Sequence, residues 1–171
     1  MGNTHNEKKS LILEAAKKVA AEQGFEKLNY RSIAREAKIS PGTLYYYYNS
    51  KDELLYDIMD STTRELSSFV DRIDRGVNHV KDIPKNLYLG ARNHIKNVDR
   101  NKIFLHVIHE ALSERDDMRE RIVDKYRSWV EDFEKLFRLY YNVPAPTCNA
   151  LAILYDSMID GLLIKELLGF D

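Results

Sequence analysis

The chain has 171 residues, 44% of them hydrophobic and 31% charged, with 26 Lys and Arg against 27 Asp and Glu and a formal net charge of −1. That composition fits a folded globular chain and excludes a polycation. Cys148 is the single cysteine, so an intramolecular disulfide is excluded as well.

Charge is unevenly spread. Lys8, Lys9, Lys17, Lys18, Lys27, Arg31, Arg35, Lys38 and Lys51 outnumber Glu7, Glu14, Glu22, Glu26 and Glu36, so a mildly basic head precedes an acidic body. Met1 to Ser10 is polar and has no signal-peptide core, and no apolar run is expected to reach membrane-spanning length. The expectation is a cytoplasmic protein with no membrane partner.

In chain order, residues before about Glu7 read as a disordered terminus. Ser10 to Gln23 is expected to be a helix with Leu11, Ile12, Ala15, Val19 and Ala20 inward and Gly24 as its stop. Asn29 caps a second helix, whose apolar stripe is Tyr30, Ile33, Ala34 and Ala37. Ser40-Pro41 starts a third, short helix, with Ser as cap and Pro at the first helical position. Leu44 and Tyr48, four apart, face the second helix. Phe25 and Leu28 close a small core with Ile33, Leu44 and Tyr48.

Gly42, Thr43, Tyr45, Tyr46 and Tyr47 are then left outward. Adjacent aromatics facing water mark a contact surface. Tyrosine offers a ring to thymine methyls or sugars and a hydroxyl to phosphate oxygens, as a helix lying in a DNA groove requires. Lys51 sits at the positive start of the next helix, a natural seat for a backbone phosphate.

That next helix runs from Lys51 to about Arg75, with Leu55, Ile58, Thr62, Leu66, Phe69 and Ile73 at helical spacing. Gly76 to Asp82 is a break, and Pro84 opens a helix through Leu87, Ala91, His94, Ile95 and Val98. Asp99 to Asn101 reads as a turn, Lys102 to Ser113 as a short helix, and Asp116 to Tyr141 as a long one with Ile122, Tyr126, Trp129, Val130, Phe133 and Phe137 inward. After Asn142-Val-Pro-Ala-Pro, Thr147 is expected to cap a final helix from about Cys148 to Leu168. That helix is apolar almost all round and needs cover on more than one side, which a second copy of the chain supplies. With the preceding helix it would form a four-helix interface. No strand-like alternation, repeat or low-complexity segment is present.

The run I-A-R-E-A-K-I-S-P-G-T-L-Y-Y-Y-Y-N-S-K-D-E-L-L, preceded by AAKKVAAEQGFEKLNYRSIA, resembles the N-terminal signature of TetR-family transcriptional regulators. The resemblance covers about the first third of the chain. It departs at Lys38, where the family carries Gly and a left-handed backbone costs roughly 1 kcal/mol. It departs again at Tyr48, where the family carries Phe, so a buried hydroxyl needs a partner.

The resemblance implies an all-α homodimer: a three-helix helix-turn-helix head over residues 1–50 and a helical ligand-binding and dimerisation bundle over residues 51–171. It places Ser40, Gly42, Thr43, Tyr45, Tyr46 and Tyr47 among the recognition-helix contacts. Arg31, Ser32 and Lys51 correspond to phosphate contacts. Tyr88, His94, Phe104, His106, His109, Met118, Tyr126, Trp129 and Phe133 lie on the helices that enclose a pocket for a small hydrophobic effector. Trp129, Phe137, Leu151, Leu154, Tyr155, Met158 and Leu162 are the expected dimer contacts. His106 and His109 share a helix face, but a zinc site needs three or four ligands, so Glu110 or His94 would have to join them. No metal, no cofactor and no catalytic constellation are expected.

The resulting expectation is a ligand-responsive repressor that binds a palindromic double-stranded DNA operator as a homodimer, its two recognition helices in successive major grooves. Two rivals remain open at this point. One is a DNA-binding scaffold that senses nothing; the other is an all-helical enzyme that turns over a small molecule.

Overall fold

Among the described residues the backbone forms eight α-helices and no strand. They are α1 (Gly2–Gln23), α2 (Tyr30–Glu36), α3 (Pro41–Tyr47), α4 (Lys51–Asp74), α5 (Ile83–Lys96), α6 (Val98–Leu112), α7 (Asp116–Tyr140) and α8 (Ala145–Leu167). A 3-10 turn, Val80–Asp82, precedes α5. The computed structural model describes residues 2–24, 27–113 and 116–170. Phe25 and the side chain of Thr62, both expected inward, lie outside what it describes.

The head is built by local rules. Helix α1 buries Ile12, Ala15, Ala16, Val19 and Ala20, while Leu11, expected inward, is exposed. Gly24 ends α1 with φ 82°, a left-handed conformation open to glycine. The α2 start is a capping box: Asn29 Oδ1 accepts the Ser32 N–H at 3.0 Å, and Ser32 Oγ accepts the Asn29 N–H at 3.2 Å. Its end is a Schellman turn, with the Ile39 N–H donating to Ala34 O at 3.0 Å and the Lys38 N–H to Arg35 O at 3.2 Å. Lys38 adopts φ 54° there, as the missing glycine demands. Ser40 caps α3 by accepting the Thr43 N–H at 3.0 Å, with Pro41 in the first turn. Ser50 caps α4 by accepting the Glu53 N–H at 3.1 Å.

Four expectations are corrected. The first helix begins at Gly2, not Ser10, because its added turns lean on the head: the His5 ring lies 4.8 Å from that of Tyr47, and Lys9 Nζ lies 4.9 Å from the Tyr48 ring. The break between α5 and α6 falls at Asn97, not at Asp99 to Asn101. Asn97 accepts the Arg100 N–H at 3.2 Å, and buried Asn101 donates to Ile95 O at 2.8 Å, which ties the corner. Thr147 does not cap α8. Pro144 stands at that position without a side-chain cap, and Pro146 occupies the first turn. Finally, α8 is long and apolar enough, by length and composition, to cross a membrane, contrary to the sequence expectation. It packs instead along α7 and α5, burying Cys148, Ala152, Ile159 and Leu163 as one stripe.

One continuous apolar core runs from Ile12 in α1 to Leu163 in α8, with Leu54, Leu55, Ile58 and Met59 of α4 between head and body. A smaller cluster of Phe69, Val70, Ile73, Ile83 and Leu136 closes the far end of α4. Helix α4 therefore belongs to both halves, packing on α1, α6 and α7.

Lys38 yields a test. A non-glycine residue in left-handed backbone costs about 1–2 kcal/mol, and glycine's extra freedom in the unfolded chain costs about 0.5–1 kcal/mol. Lys38→Gly should stabilise the chain by roughly 0.5 kcal/mol in urea unfolding; a loss of stability would contradict the strain assigned to this turn.

Candidate nucleic-acid interface and ligand cavity

Helix α3 is seven residues long, and two inward side chains set its rotation. Leu44 and Tyr48 are fully buried. The Tyr48 hydroxyl donates to Asp57 Oδ2 at 3.1 Å, so the polar atom that replaces the family's Phe edge is satisfied. Burial, then the Asp57 carboxylate, push its pKa up, so it stays a neutral donor.

The opposite face carries Tyr45, 53% exposed, and Tyr46, 75% exposed. Arg31, Ser40, Gly42 and Lys51 are also exposed, and Thr43 is half-buried. A Cβ on Gly42 would meet nothing closer than Ser40 Oγ at 3.7 Å, so the protein itself does not require glycine there. What Gly42 leaves is bare backbone on the exposed side of the helix. Ser40 Oγ also pairs with Thr43 Oγ1 at 2.9 Å, which holds both hydroxyls at the helix start.

Two props were not read from the sequence. The Tyr30 ring lies 4.5 Å from that of Tyr45, and its hydroxyl donates to Tyr48 O at 3.0 Å. Burial pushes Tyr30 up to about 12, so this donor also stays neutral. Tyr47, expected outward, is half-buried, with His5 on one side and the Tyr46 ring edge-on at 5.2 Å. Ser32, expected at a phosphate, is buried. Its hydroxyl donates to the capping region, 2.8 Å from Lys27 O and 2.9 Å from Asn29 O, so it faces the head's interior.

Polar contacts tie the head to the body. Asp57 on α4 meets Arg121 of α7 at 3.4 Å and Lys9 of α1 at 3.9 Å, besides Tyr48. The Arg121 guanidinium lies 3.7 Å over the Tyr56 ring. Asp60 pairs with Lys125 of α7 and with Arg64. His106 Nε2, expected in a ligand pocket, instead lies 3.4 Å from Asp52 at the head–body seam.

A half-open cavity of about 440 Å³ lies between α4, α5, α6, α7 and α8. Of the expected pocket residues, His94, Phe104, Trp129 and Phe133 line it. Tyr126 stands behind the wall, its ring 5.1 Å from Trp129 and its hydroxyl 2.6 Å from Asp160 Oδ2. Met118 is buried in the core, His109 is exposed on α6, and Tyr88 is exposed in a separate groove. Sequence reasoning missed Asp156 and Asp160, which border the cavity from α8. Two acids four apart in an otherwise apolar helix were the available signal. Burial, then the charge of Arg100, hold His94 at about 3, so its ring is neutral. Among the described residues no three His, Cys, Asp or Glu side chains gather as a metal site would require.

The second concavity is an open groove of about 650 Å³ along α5, α7 and α8. Leu151, Leu154, Tyr155, Met158 and Leu162, expected at a dimer interface, line it together with Phe137 and Tyr88. Leu154 is 66% exposed, and Leu151, Met158 and Leu162 are exposed too. Trp129 and Phe137 are buried beneath the surface, each taken up by the chain's own core, and Tyr155 donates its hydroxyl to Leu87 O at 2.8 Å.

Comparison with known proteins follows this geometry. Residues 12–58 match the model of the family described as bacterial regulatory proteins, tetR family. The HTH-type transcriptional regulator HbdR of Aromatoleum sp. (strain CIB) is 33% identical over 73 residues, 43% of this chain and 32% of that protein. The matched stretch thus spans only about a third of that relative's length. A protein from Saccharomonospora viridis solved in complex with choline shares the fold with a TM-score of 0.64 at 23% identity, covering 96% of this chain and 87% of that one. Thermus thermophilus FadR, a TetR-family transcriptional repressor solved with lauroyl-CoA, has a TM-score of 0.61 at 19% identity, covering 95% and 90%.

Ser32 separates scaffold from contact surface. Ser32→Ala removes half of a capping box and should cost about 1 kcal/mol of stability by thermal or urea unfolding. Tyr45→Ala, on the exposed face, should shift stability by less than about 0.5 kcal/mol. The reverse ranking would contradict these placements.

Proposed function

We propose that this chain, which belongs to the TetR family of bacterial regulatory proteins, is a cytoplasmic, ligand-responsive transcriptional repressor that binds a palindromic operator as a homodimer. One observation carries the reading. A helix pinned by Leu44 and Tyr48 presents Tyr45 and Tyr46 outward, and Arg31 and Lys51 on the flanking helices are exposed as well. The tyrosines and Gly42 meet base edges and sugars in the major groove, while Arg31 and Lys51 meet flanking phosphates. Thr43 and Ser40 touch the backbone at the helix start, and Tyr47 supports the ridge from its half-buried side.

The second copy covers the apolar groove of α5, α7 and α8, with Leu151, Leu154, Met158 and Leu162 at its centre. Exposed apolar surface of this kind marks an interaction face, and the two-fold symmetry of an isologous pairing matches that of a palindromic operator. The head is residues 1–50 and the body residues 51–171. The cavity favours an effector-responsive regulator over a scaffold that senses nothing, because a concave, mostly apolar space with a few polar groups is the usual form of a small-molecule site. Proteins of the same fold have been solved with choline and with lauroyl-CoA, which differ in chemistry, so the fold alone does not select a ligand. Binding moves the heads only as far as the ligand's differential affinity for the two head spacings allows.

A gel shift with the DNA upstream of the chain's own coding sequence tests the reading. The wild type should retard it, and a mixture with a tagged, longer version should give one additional band of intermediate mobility, as a two-chain complex requires. Tyr45→Ala combined with Lys51→Ala should weaken binding at least about tenfold, since a good base contact is worth about 1–3 kcal/mol. No retardation, or full binding by the double variant, would defeat the proposal.

A further inference from the structure

The body cavity carries a charge pattern of its own. Asp156 and Asp160 lie one turn apart on α8 and border the cavity together. Asp160 accepts the Tyr126 hydroxyl at 2.6 Å. Asp156 is half-buried and makes no hydrogen bond or ion pair with any described residue. The surrounding wall is aromatic and aliphatic, with Phe69, Phe104, Trp129, Phe133 and Tyr155 among its members. A carboxylate facing such a wall without a partner costs free energy, and a cation of matching size removes that cost.

The other charged groups on the cavity do not supply that cation. Arg72 on α4 is exposed, donates to Ser68 Oγ at 2.9 Å and lies over the Phe69 ring. Arg100 on α6 lines the cavity and its charge acts on His94, but no ion pair joins it to Asp156 or Asp160. His94 on α5 is neutral, and Tyr126 on α7 is committed to Asp160.

We propose that the effector of this chain is an organic cation, a protonated amine or quaternary ammonium, seated between the carboxylates of Asp156 and Asp160 and the aromatic faces of Phe104, Trp129, Phe133 and Tyr155. The rings offer their negative faces to the ammonium, and the remaining apolar wall receives the ligand's hydrocarbon. An anionic ligand would meet the acid pair with its own sign, and a neutral one would leave Asp156 without a counter-charge. Burial and the neighbouring Asp160 push Asp156 up to about 7, and burial also raises Asp160 despite its bond from Tyr126. The empty pair therefore holds a proton near neutrality, and an entering cation expels it. Affinity consequently rises with pH through about 7 and falls about tenfold per unit well below it, where proton and cation compete one for one.

This inference rests on the cavity being the effector site, and the test separates the two readings. Trp129 is the chain's single tryptophan and lines the cavity, so its fluorescence reports occupancy. The full chain is titrated with hexyltrimethylammonium chloride, 1-hexanol and hexanoate, which match in tail and differ in head charge. The ammonium should give a saturable response at least tenfold tighter than the other two. Its affinity should drop as pH falls from 8 to 6, and it should weaken at least tenfold in Asp156→Asn. That variant should keep or raise the thermal midpoint, because it removes an uncompensated carboxylate, and the wild-type pH profile tests the same point without any substitution. Equal or tighter binding of hexanol or hexanoate overturns the cation assignment while leaving the effector cavity in place. Undiminished binding by Asp156→Asn, or a flat pH profile, overturns it as well. A flat response to all three probes removes the cavity as a ligand site, and both readings with it.

Discussion

Everything exposed on the head depends on what two side chains bury. Leu44 lies within a helix of seven, Tyr48 caps its end four residues later, and both are fully enclosed. A helix that short has little else to fix its rotation, since isolated short helices are marginal in water and take their stability from packing. Once those two positions point inward, Tyr45 and Tyr46 have only the outside left. The ridge is then stiffened from behind: Tyr30 lies against Tyr45 while bonding to Tyr48 O, and His5 lies against Tyr47. A reading surface needs this order, because contacts made by mobile side chains lose their value to the entropy of fixing them.

The same buried tyrosine connects the head to the rest of the molecule. Its hydroxyl ends on Asp57, which also meets Arg121 of α7 and Lys9 of α1. Helix α4 thus carries a polar joint at the head, while Leu66 and Phe69 farther along it line the cavity. One element touches both places, so under the proposed function α4 is the route by which filling the cavity would bear on the seating of the head. His106 against Asp52 adds a second joint at the start of the same helix.

The head was largely legible in the sequence because its determinants are local. The stripe through Leu44 and Tyr48, the caps at Asn29, Ser40 and Ser50, and the strained turn at Lys38 each depend on residues within five positions of one another. The errors fall where distant contacts decide. The start of α1 is held by Tyr47, Tyr48 and Asp57, none of them near in sequence. Asn97 and Asp99 are both fair helix caps, and the choice between them follows Asn101 reaching back to Ile95. Ser32 is the local exception, since the carbonyls that turn its hydroxyl inward belong to Lys27 and Asn29, five and three residues away. Which side chains of the body share a void depends on how five helices cross, so His106, His109, Met118 and Tyr88 were grouped with the cavity residues although they do not line the cavity. Asp156 and Asp160 were readable as charges in an apolar helix, but their common facing onto a cavity was not.

The central claim is that the tyrosine ridge lies in the major groove, and photocrosslinking measures this directly. A retained operator duplex with thymines replaced by 5-iodouracil carries its photoreactive atom where the thymine methyl would sit in that groove. Irradiation of the complex and mass mapping should place the adduct on Tyr45 or Tyr46. Adducts confined to the body, or on Tyr30 or Tyr48 with none on the ridge, would contradict the account.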